Sequence, residues 1–360
     1  MPTPIVRQNH QVGSMDGEEP PSYSSSNWVI PDLSDLTRGF SICGLGNLGN
    51  TCWMNSIVQA LSLTLPLTNY FLTRSFEKDL NHTSHTFAHH YSNLLENLWN
   101  GQKKDIIPIE LLQELRTLVP SFATPFQQQD AHEAFTYILD LLHNCLNDSL
   151  TKSYHPQGPS DYREALIQHK RHDNSLIWDL FGGQLQSCIV CPHCTKRIEK
   201  FDHFTSLSLE IQKELETTNI YAVLQTFFAE PISEWHCPCC RKISKPTRKI
   251  TISCLPYILV LHLKRFSQCP YTGETKKITN LVQVPMDFMD MKDYCSKNPS
   301  IITTKYRLYA IVNQKGSLSS GHYTSLVRRD HAWYLCNDKT VTTHNPKTLV
   351  SKDNYIFFYY

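Results

Sequence analysis

The stretch Gly46 to Leu63, GNLGNTCWMNSIVQALSL, runs from a glycine- and asparagine-rich turn into an apolar helical stripe, with Cys52 at the junction. A cysteine that opens a helix faces unpaired backbone N–H groups and the positive end of the macrodipole, both of which favour thiolate over thiol. Cys52 is therefore a candidate nucleophile, and the rest of the chain has to supply a base and an orienting group.

Outward from that junction the pattern changes once. From Gly44 to about Asn147 the segments SIVQALSL, IELLQELRTLV and AHEAFTYILDLLHNCL place apolar residues three and four apart, which predicts helices. From about Leu176 the segments TSLSLEI, YILVLHLKRF, YRLYAIVN, YTSLVRR, AWYLC and NYIFFYY are short, β-branched and aromatic, which predicts strands. Helices first and strands later give an α+β fold with two lobes and a cleft between them. Lys152 to Ser175 is polar with Pro and Gly and reads as a surface loop. Met1 to about Asn27 is rich in Pro, Ser and Gly and reads as disordered, which sets a leader over residues 1–40 and a folded domain over 41–360.

The chain has 360 residues, 41% apolar and 11% aromatic, enough for a full core. A formal net charge of +1 gives no bulk field to capture nucleic acid or an anionic membrane, so neither is expected as a direct partner. With no signal-peptide core or long apolar run in evidence, and thirteen cysteines, the expectation is an intracellular protein of the nucleus or cytoplasm with thiols rather than disulfides.

Two C-x-x-C pairs, Cys191/Cys194 in CPHC and Cys237/Cys240 in CPCC, have the spacing of two zinc knuckles. With four sulfur ligands no position remains for water, so the expected zinc is structural. Cys188 and Cys239 lie nearby and are set aside, because the other four give both knuckles the same spacing.

His322 follows a glycine in SSGHYTSLV at the start of an alternating strand, and Asn337 and Asp338 end the next strand, AWYLCND. The hairpin-length link RRDH lets His322 and Asn337 face each other, giving a Cys52, His322, Asn337/Asp338 order of papain-like type. Asn47 can offer its amide to an oxyanion beside the Cys52 N–H.

These residues resemble the ubiquitin-specific protease family of deubiquitinating cysteine peptidases. GLGNLGNTCWMNSIVQAL is similar to its cysteine box, QQQDAHEAF to its glutamine-aspartate box, and GSLSSGHYTSLVRRDHAWYLCNDKTV to its histidine box. The resemblance covers about Phe40 to Tyr360. It implies a papain-like hand with a helical thumb (about 41–175), zinc-held β fingers (about 180–255) and a β-rich palm (about 256–360). By the same resemblance Cys52 is the nucleophile, His322 the base, Asn337 the orienting residue, Asn47 the oxyanion donor and Asp338 an assisting acid. Asp130 and Glu133 would hold arginines of the ubiquitin tail.

The implied activity is hydrolysis of the isopeptide bond after the C-terminal glycine of ubiquitin, through a Cys52 thioester. The chain departs from the family pattern at Trp53, Ala134, Gln314 and Ser320, none of which removes a catalytic atom. The segments SGHYTS, WYLCND, IVCPHC, QQDAHE and MDMKDYCS are similar to the histone deubiquitinases of the SAGA coactivator, which implies SAGA-like module subunits as partners. The competing expectations are a silent ubiquitin-binding scaffold and a partner-dependent enzyme.

Overall fold

The computed structural model describes residues 42–81, 85–147, 159, 161–212, 214–229, 234–268, 275–297, 301 and 303–360. The expected leader lies outside them. The first half folds into helices α1 (Cys52–Ser62), α2 (Leu65–Leu72), α3 (Thr86–Trp99), α4 (Ile109–Leu118) and α5 (Ala131–Leu146). All eleven residues of α1 are buried, so the helix is sealed on every side rather than along one stripe. Two of its polar residues donate inside the protein: the Gln59 amide to the Cys43 carbonyl at 2.8 Å, and the Ser62 hydroxyl to the Gln59 carbonyl at 2.8 Å.

Part of the expected 152–175 loop is a helix, α6 (Tyr162–His172). Asp161 starts it by accepting from the Arg163 and Glu164 N–H groups, each at 2.9 Å. Asp161 and Glu164 have capping-box spacing, a start signal that the polar composition outweighed in the sequence reading. Helices α7 (Leu176–Phe181) and α8 (Ile220–Phe228) interrupt the strand-rich half.

The strands of four residues or more are β1 (Gly183–Val190), β2 (Arg197–Phe204), β3 (Leu207–Glu210), β4 (Thr247–Cys254), β5 (Leu259–Lys264), β6 (Leu308–Lys315), β7 (His322–Arg329), β8 (Ala332–Asn337), β9 (Thr340–His344) and β10 (Asn354–Tyr359). Seven form one sheet in the order β9-β8-β7-β6-β10-β5-β3, antiparallel except where β5 meets β3. Its middle strands are buried on both faces, which is why their segments are nearly all apolar. Val260, Ala310, Val312, Ile356 and Phe358 face the helical core, whereas Leu259, Leu261, Ile311, Phe357 and Tyr359 pack in a second core with Val223 and Leu224 of α8. Strands β2, β1 and β4 form a separate three-stranded ribbon.

The β7–β8 hairpin closes through Asp330 (φ 48°) and His331 (φ 66°), two successive left-handed residues as a type I′ turn requires. Helix α1 packs against β7, the contact that carries Cys52 to the sheet.

Candidate active site

Cys52 is the first residue of α1 and only 2% exposed. The preceding loop folds on Asn47, whose side-chain oxygen accepts from the N–H groups of Gly49 at 3.0 Å and Thr51 at 3.1 Å. Gly49 has φ 90°, and a Cβ there would fall 2.3 Å from the Phe126 ring, so the turn needs glycine for both conformation and space. The Asn50 amide donates to the Phe126 carbonyl at 2.7 Å and pins the loop to the segment that leads into α5.

The Cys52 sulfur accepts from the Tyr323 N–H and from the Gln128 side-chain amide, each at 3.5 Å. Burial pushes the thiol up from its ordinary pKa, and the Gln128 amide and the Tyr323 N–H oppose that rise. The charge of Asp338 adds to the rise and the Trp53 N–H opposes it.

His322 opens β7, one residue before the N–H that touches the sulfur. Its Nε2 lies 2.7 Å from the Asn337 side-chain oxygen. The β7–β8 register pairs Ser325 with Cys336, and continued by one residue it sets Asn337 opposite Thr324. His322, two residues from Thr324, lies on the same face as its diagonal neighbour. With Nε2 committed to Asn337 as donor, Nδ1 is the nitrogen left for proton exchange with the cysteine.

Asp338 follows Asn337 in a left-handed conformation, φ 47°. Its carboxylate accepts from the Asn47 amide at 2.9 Å and from the Asn55 amide at 2.8 Å, and its backbone carbonyl accepts from Leu45 N–H at 2.9 Å. Asp338 thus bonds the oxyanion candidate and the nucleophile helix, and His322 bonds Asn337. One Asn47 amide hydrogen goes to Asp338 and the other remains for a substrate oxygen. Asn55, buried in α1, was missed because a single asparagine within a helix reads as a solvent-facing residue.

Asp130 and Glu133 occupy the cap and third positions of α5. The Asp130 carboxylate accepts from the His132 and Glu133 N–H groups at 2.7 and 3.1 Å and from the Tyr355 hydroxyl at 2.5 Å. Glu133 is half-buried and accepts from the Ser121 hydroxyl at 3.2 Å. Both residues therefore have structural partners in the free protein. Gln128 went unnoticed among three successive glutamines that the sequence does not rank.

At the tip of the β2-β1-β4 ribbon, the sulfurs of Cys191, Cys194, Cys237 and Cys240 all lie within 4.8 Å of one another. The Cys191–Cys240 and Cys194–Cys237 separations are 3.7 and 3.6 Å. A tetrahedron with metal–sulfur bonds of about 2.3 Å has edges of about 3.8 Å, so the set fits a zinc ion. The two knuckles are twins: Cys191 N–H bonds the Lys196 carbonyl and Cys237 N–H the Lys242 carbonyl, and Thr195 and Arg241 hold φ of 56° and 58°. Cys188 and Cys239 stand outside the cluster.

Residues 43–359 match the family described as ubiquitin carboxyl-terminal hydrolase. Human ubiquitin carboxyl-terminal hydrolase 2 is 34% identical over 362 residues, covering 95% of this chain and 59% of the relative. Bovine ubiquitin carboxyl-terminal hydrolase 21 is 31% identical over 390 residues, covering 95% and 67%. The chain thus spans about three fifths of the length of the human relative. A chain of the SAGA DUB module Ubp8/Sgf11/Sus1/Sgf73 bound to monoubiquitin superposes with a TM-score of 0.71 at 25% identity, covering 88% of this chain and 68% of that one. A chain of the yeast SAGA DUB module superposes equally well, 0.71 at 26% identity. With that match over residues 43–359, the chain belongs to the ubiquitin carboxyl-terminal hydrolase family.

Proposed function

We propose that this chain is a deubiquitinating thiol peptidase that hydrolyses the isopeptide bond after the C-terminal glycine of ubiquitin. The observation that carries the reading is the set formed by the Cys52 sulfur, the Tyr323 N–H 3.5 Å from it, and the His322–Asn337 bond of 2.7 Å at the adjoining residue. Cys52 attacks the glycine carbonyl as His322 takes the thiol proton, and His322 returns it to the departing lysine amine. The second Asn47 amide hydrogen and the Cys52 N–H, a first-turn donor with no intrahelical partner, hold the oxyanion. Water then attacks the thioester, with His322 as base.

Asp130 and Glu133 are assigned to arginines of the ubiquitin tail, since a carboxylate oxygen that accepts one hydrogen bond keeps a lone pair for a guanidinium. The four ribbon cysteines are assigned a structural zinc, which fixes the tip of the fingers (about 180–255) relative to the palm (about 256–360). The thumb is assigned to about 41–175. Ubiquitin and ubiquitinated proteins are the substrates, and the likeness to SAGA module chains supports module-type subunits as partners and a nuclear or cytoplasmic location. Partner dependence is the second reading, favoured by the burial that raises the Cys52 pKa in the isolated chain.

The test is a ubiquitin derivative with a C-terminal electrophile, added to wild type, Cys52→Ala and His322→Ala. One ubiquitin added to wild type, none to Cys52→Ala and slowed addition to His322→Ala are expected. Addition that persists in Cys52→Ala overturns the assignment of the nucleophile.

A further inference from the structure

Gln128 lies on the segment leading into α5, in the helical lobe, yet its side chain ends between the nucleophile and the loop that delivers the base. Its amide nitrogen is 3.5 Å from the Cys52 sulfur and 2.9 Å from the Gly321 carbonyl oxygen. The Gly321 contact settles the orientation of the amide: a carbonyl only accepts, so the atom facing it is the nitrogen, and that nitrogen has two hydrogens to give.

Gly321 directly precedes His322 and is tightly enclosed, since a Cβ there would fall 2.2 Å from both the Gln314 amide nitrogen and the Ser317 carbonyl. The Gln314 amide donates to that Ser317 carbonyl at 2.9 Å. Two glutamine amides therefore brace the loop, Gln314 from within the sheet and Gln128 from the other lobe.

We propose that Gln128 is a catalytic residue, one of its amide hydrogens stabilising the Cys52 thiolate while the other fixes the Gly321 carbonyl and with it the position of His322. The idea rests on the assignment of Cys52 as nucleophile and adds a donor that lies outside the Cys52, His322, Asn337 set. The physical need is evident: Cys52 is buried, and a buried thiolate without donors reverts to thiol. The titratable groups that act on the sulfur are Tyr323 on β7 and Asp338 after β8, and His322 adjoins Tyr323 on β7. On the Gln128 side the nearest in sequence is Asp130, whose carboxylate is engaged by the α5 N–H groups and Tyr355. Asp338 opposes ionisation of the thiol, so the Gln128 hydrogen bond counters both burial and that charge.

The donor has a distinctive kinetic signature. As the sulfur attacks, negative charge leaves it, so an N–H on sulfur raises the thiolate fraction while making each thiolate a slightly weaker nucleophile. The experiment is the pH profile of Cys52 alkylation by iodoacetamide, read by mass on the Cys52 peptide of the zinc-loaded chain, for wild type, Gln128→Met and Gln128→Glu. It needs no ubiquitin, so its outcome is independent of the electrophile test of activity.

In Gln128→Met the acid limb should move up by about one pH unit, with the alkaline plateau at or up to about threefold above wild type. Below both limbs alkylation should be about three- to tenfold slower, according to the plateau. Gln128→Glu, ionised and unable to donate, should move the limb further. Melting temperature and zinc content identify any variant that has failed to fold, and the other variant then carries the test. An acid limb that stays within about 0.3 unit of wild type in the folded variants refutes the proposal, even if the rate falls uniformly. Wild-type labelling by the ubiquitin electrophile together with unmoved limbs would remove only the role of Gln128.

Discussion

Replacing Asp338 with asparagine separates two effects that one carboxylate exerts in opposite directions. Asparagine tolerates the left-handed φ of 47° and keeps the side-chain shape, so the backbone at the end of β8 should persist. One carboxylate oxygen becomes an NH2 group, and that group cannot accept from an Asn47 or Asn55 amide. Of two charge-assisted hydrogen bonds, at 2.9 and 2.8 Å, one is lost and the other becomes neutral. A hydrogen bond to a charged group contributes about 1.5–3 kcal/mol and a neutral one about 1 kcal/mol. The Asp338 site is half-buried, so a loss of about 2 kcal/mol from the local network is expected. Asn55 is buried and cannot turn to water, whereas Asn47 is exposed, so Asn47 should be the residue that comes loose. Removing one oxyanion donor costs about 10²–10³-fold in kcat, and a misaligned donor should cost about 10–100-fold. KM for a ubiquitin substrate should change little, because no tail contact is touched.

The same change removes a negative charge that holds the Cys52 pKa up, so alkylation of Cys52 by a small reagent near pH 7 should become faster. The assays are steady-state release from a ubiquitin C-terminal amide and iodoacetamide kinetics on the same preparation. Slower turnover together with a more reactive thiol is the expected pair. Unchanged turnover would refute the view that Asp338 holds the oxyanion donor, and a thiol less reactive than wild type would refute the electrostatic half.

Chelating the metal, or Cys194→Ser, should abolish hydrolysis of ubiquitin substrates and lower the melting temperature, because a structural zinc contributes on the order of 10 kcal/mol to its fold. One zinc per chain by atomic absorption, and Cys52 alkylation that survives its removal, would fit a staple remote from the nucleophile. Stability should also fall as the solution is acidified. His169 is half-buried with its ring stacked 3.9 Å from the His203 ring, and desolvation followed by the His203 charge lowers its pKa to about 3, against the pull of the Asp173 carboxylate 3.2 Å away. The unfolded chain takes up a proton near pH 6.5 and the folded state does not. Stability is therefore complete above about pH 6.5 and is lost progressively as the pH falls below that. Melting temperatures across pH 5–8 should show the loss, and His169→Gln should flatten it; an unchanged slope would count against the buried neutral ring.

Much of the site was legible because its chemistry depends on spacing. Each C-x-x-C pair places two sulfurs by local turn geometry, and the hairpin links His322 to Asn337 through a short connection whose register is fixed. What escaped was set by contacts between lobes. Gln128 differs from its neighbours Gln127 and Gln129 only in where the approach to α5 aims it. Asn55 and Gln59 are polar, and only the packed structure shows that backbone and Asp338 acceptors await them. Asp130 and Glu133 show a different gap: a pattern that reads as a ligand pair is also a helix start, and both uses draw on the same oxygens. Helix α6 carried its capping signal openly, but a polar, Pro- and Gly-bearing context hid it.

The turn at Asp330 and His331 closes the end of the hairpin away from the reaction. His322 opens β7, eight residues long, so the bend lies about 25 Å along the strand from it. Flanking ladders with β6 and β9 hold the register independently of the bend. That makes the tip a practical socket for protein engineering: a fluorophore, epitope or tethering peptide spliced between two exposed residues there would report on the molecule without entering its chemistry.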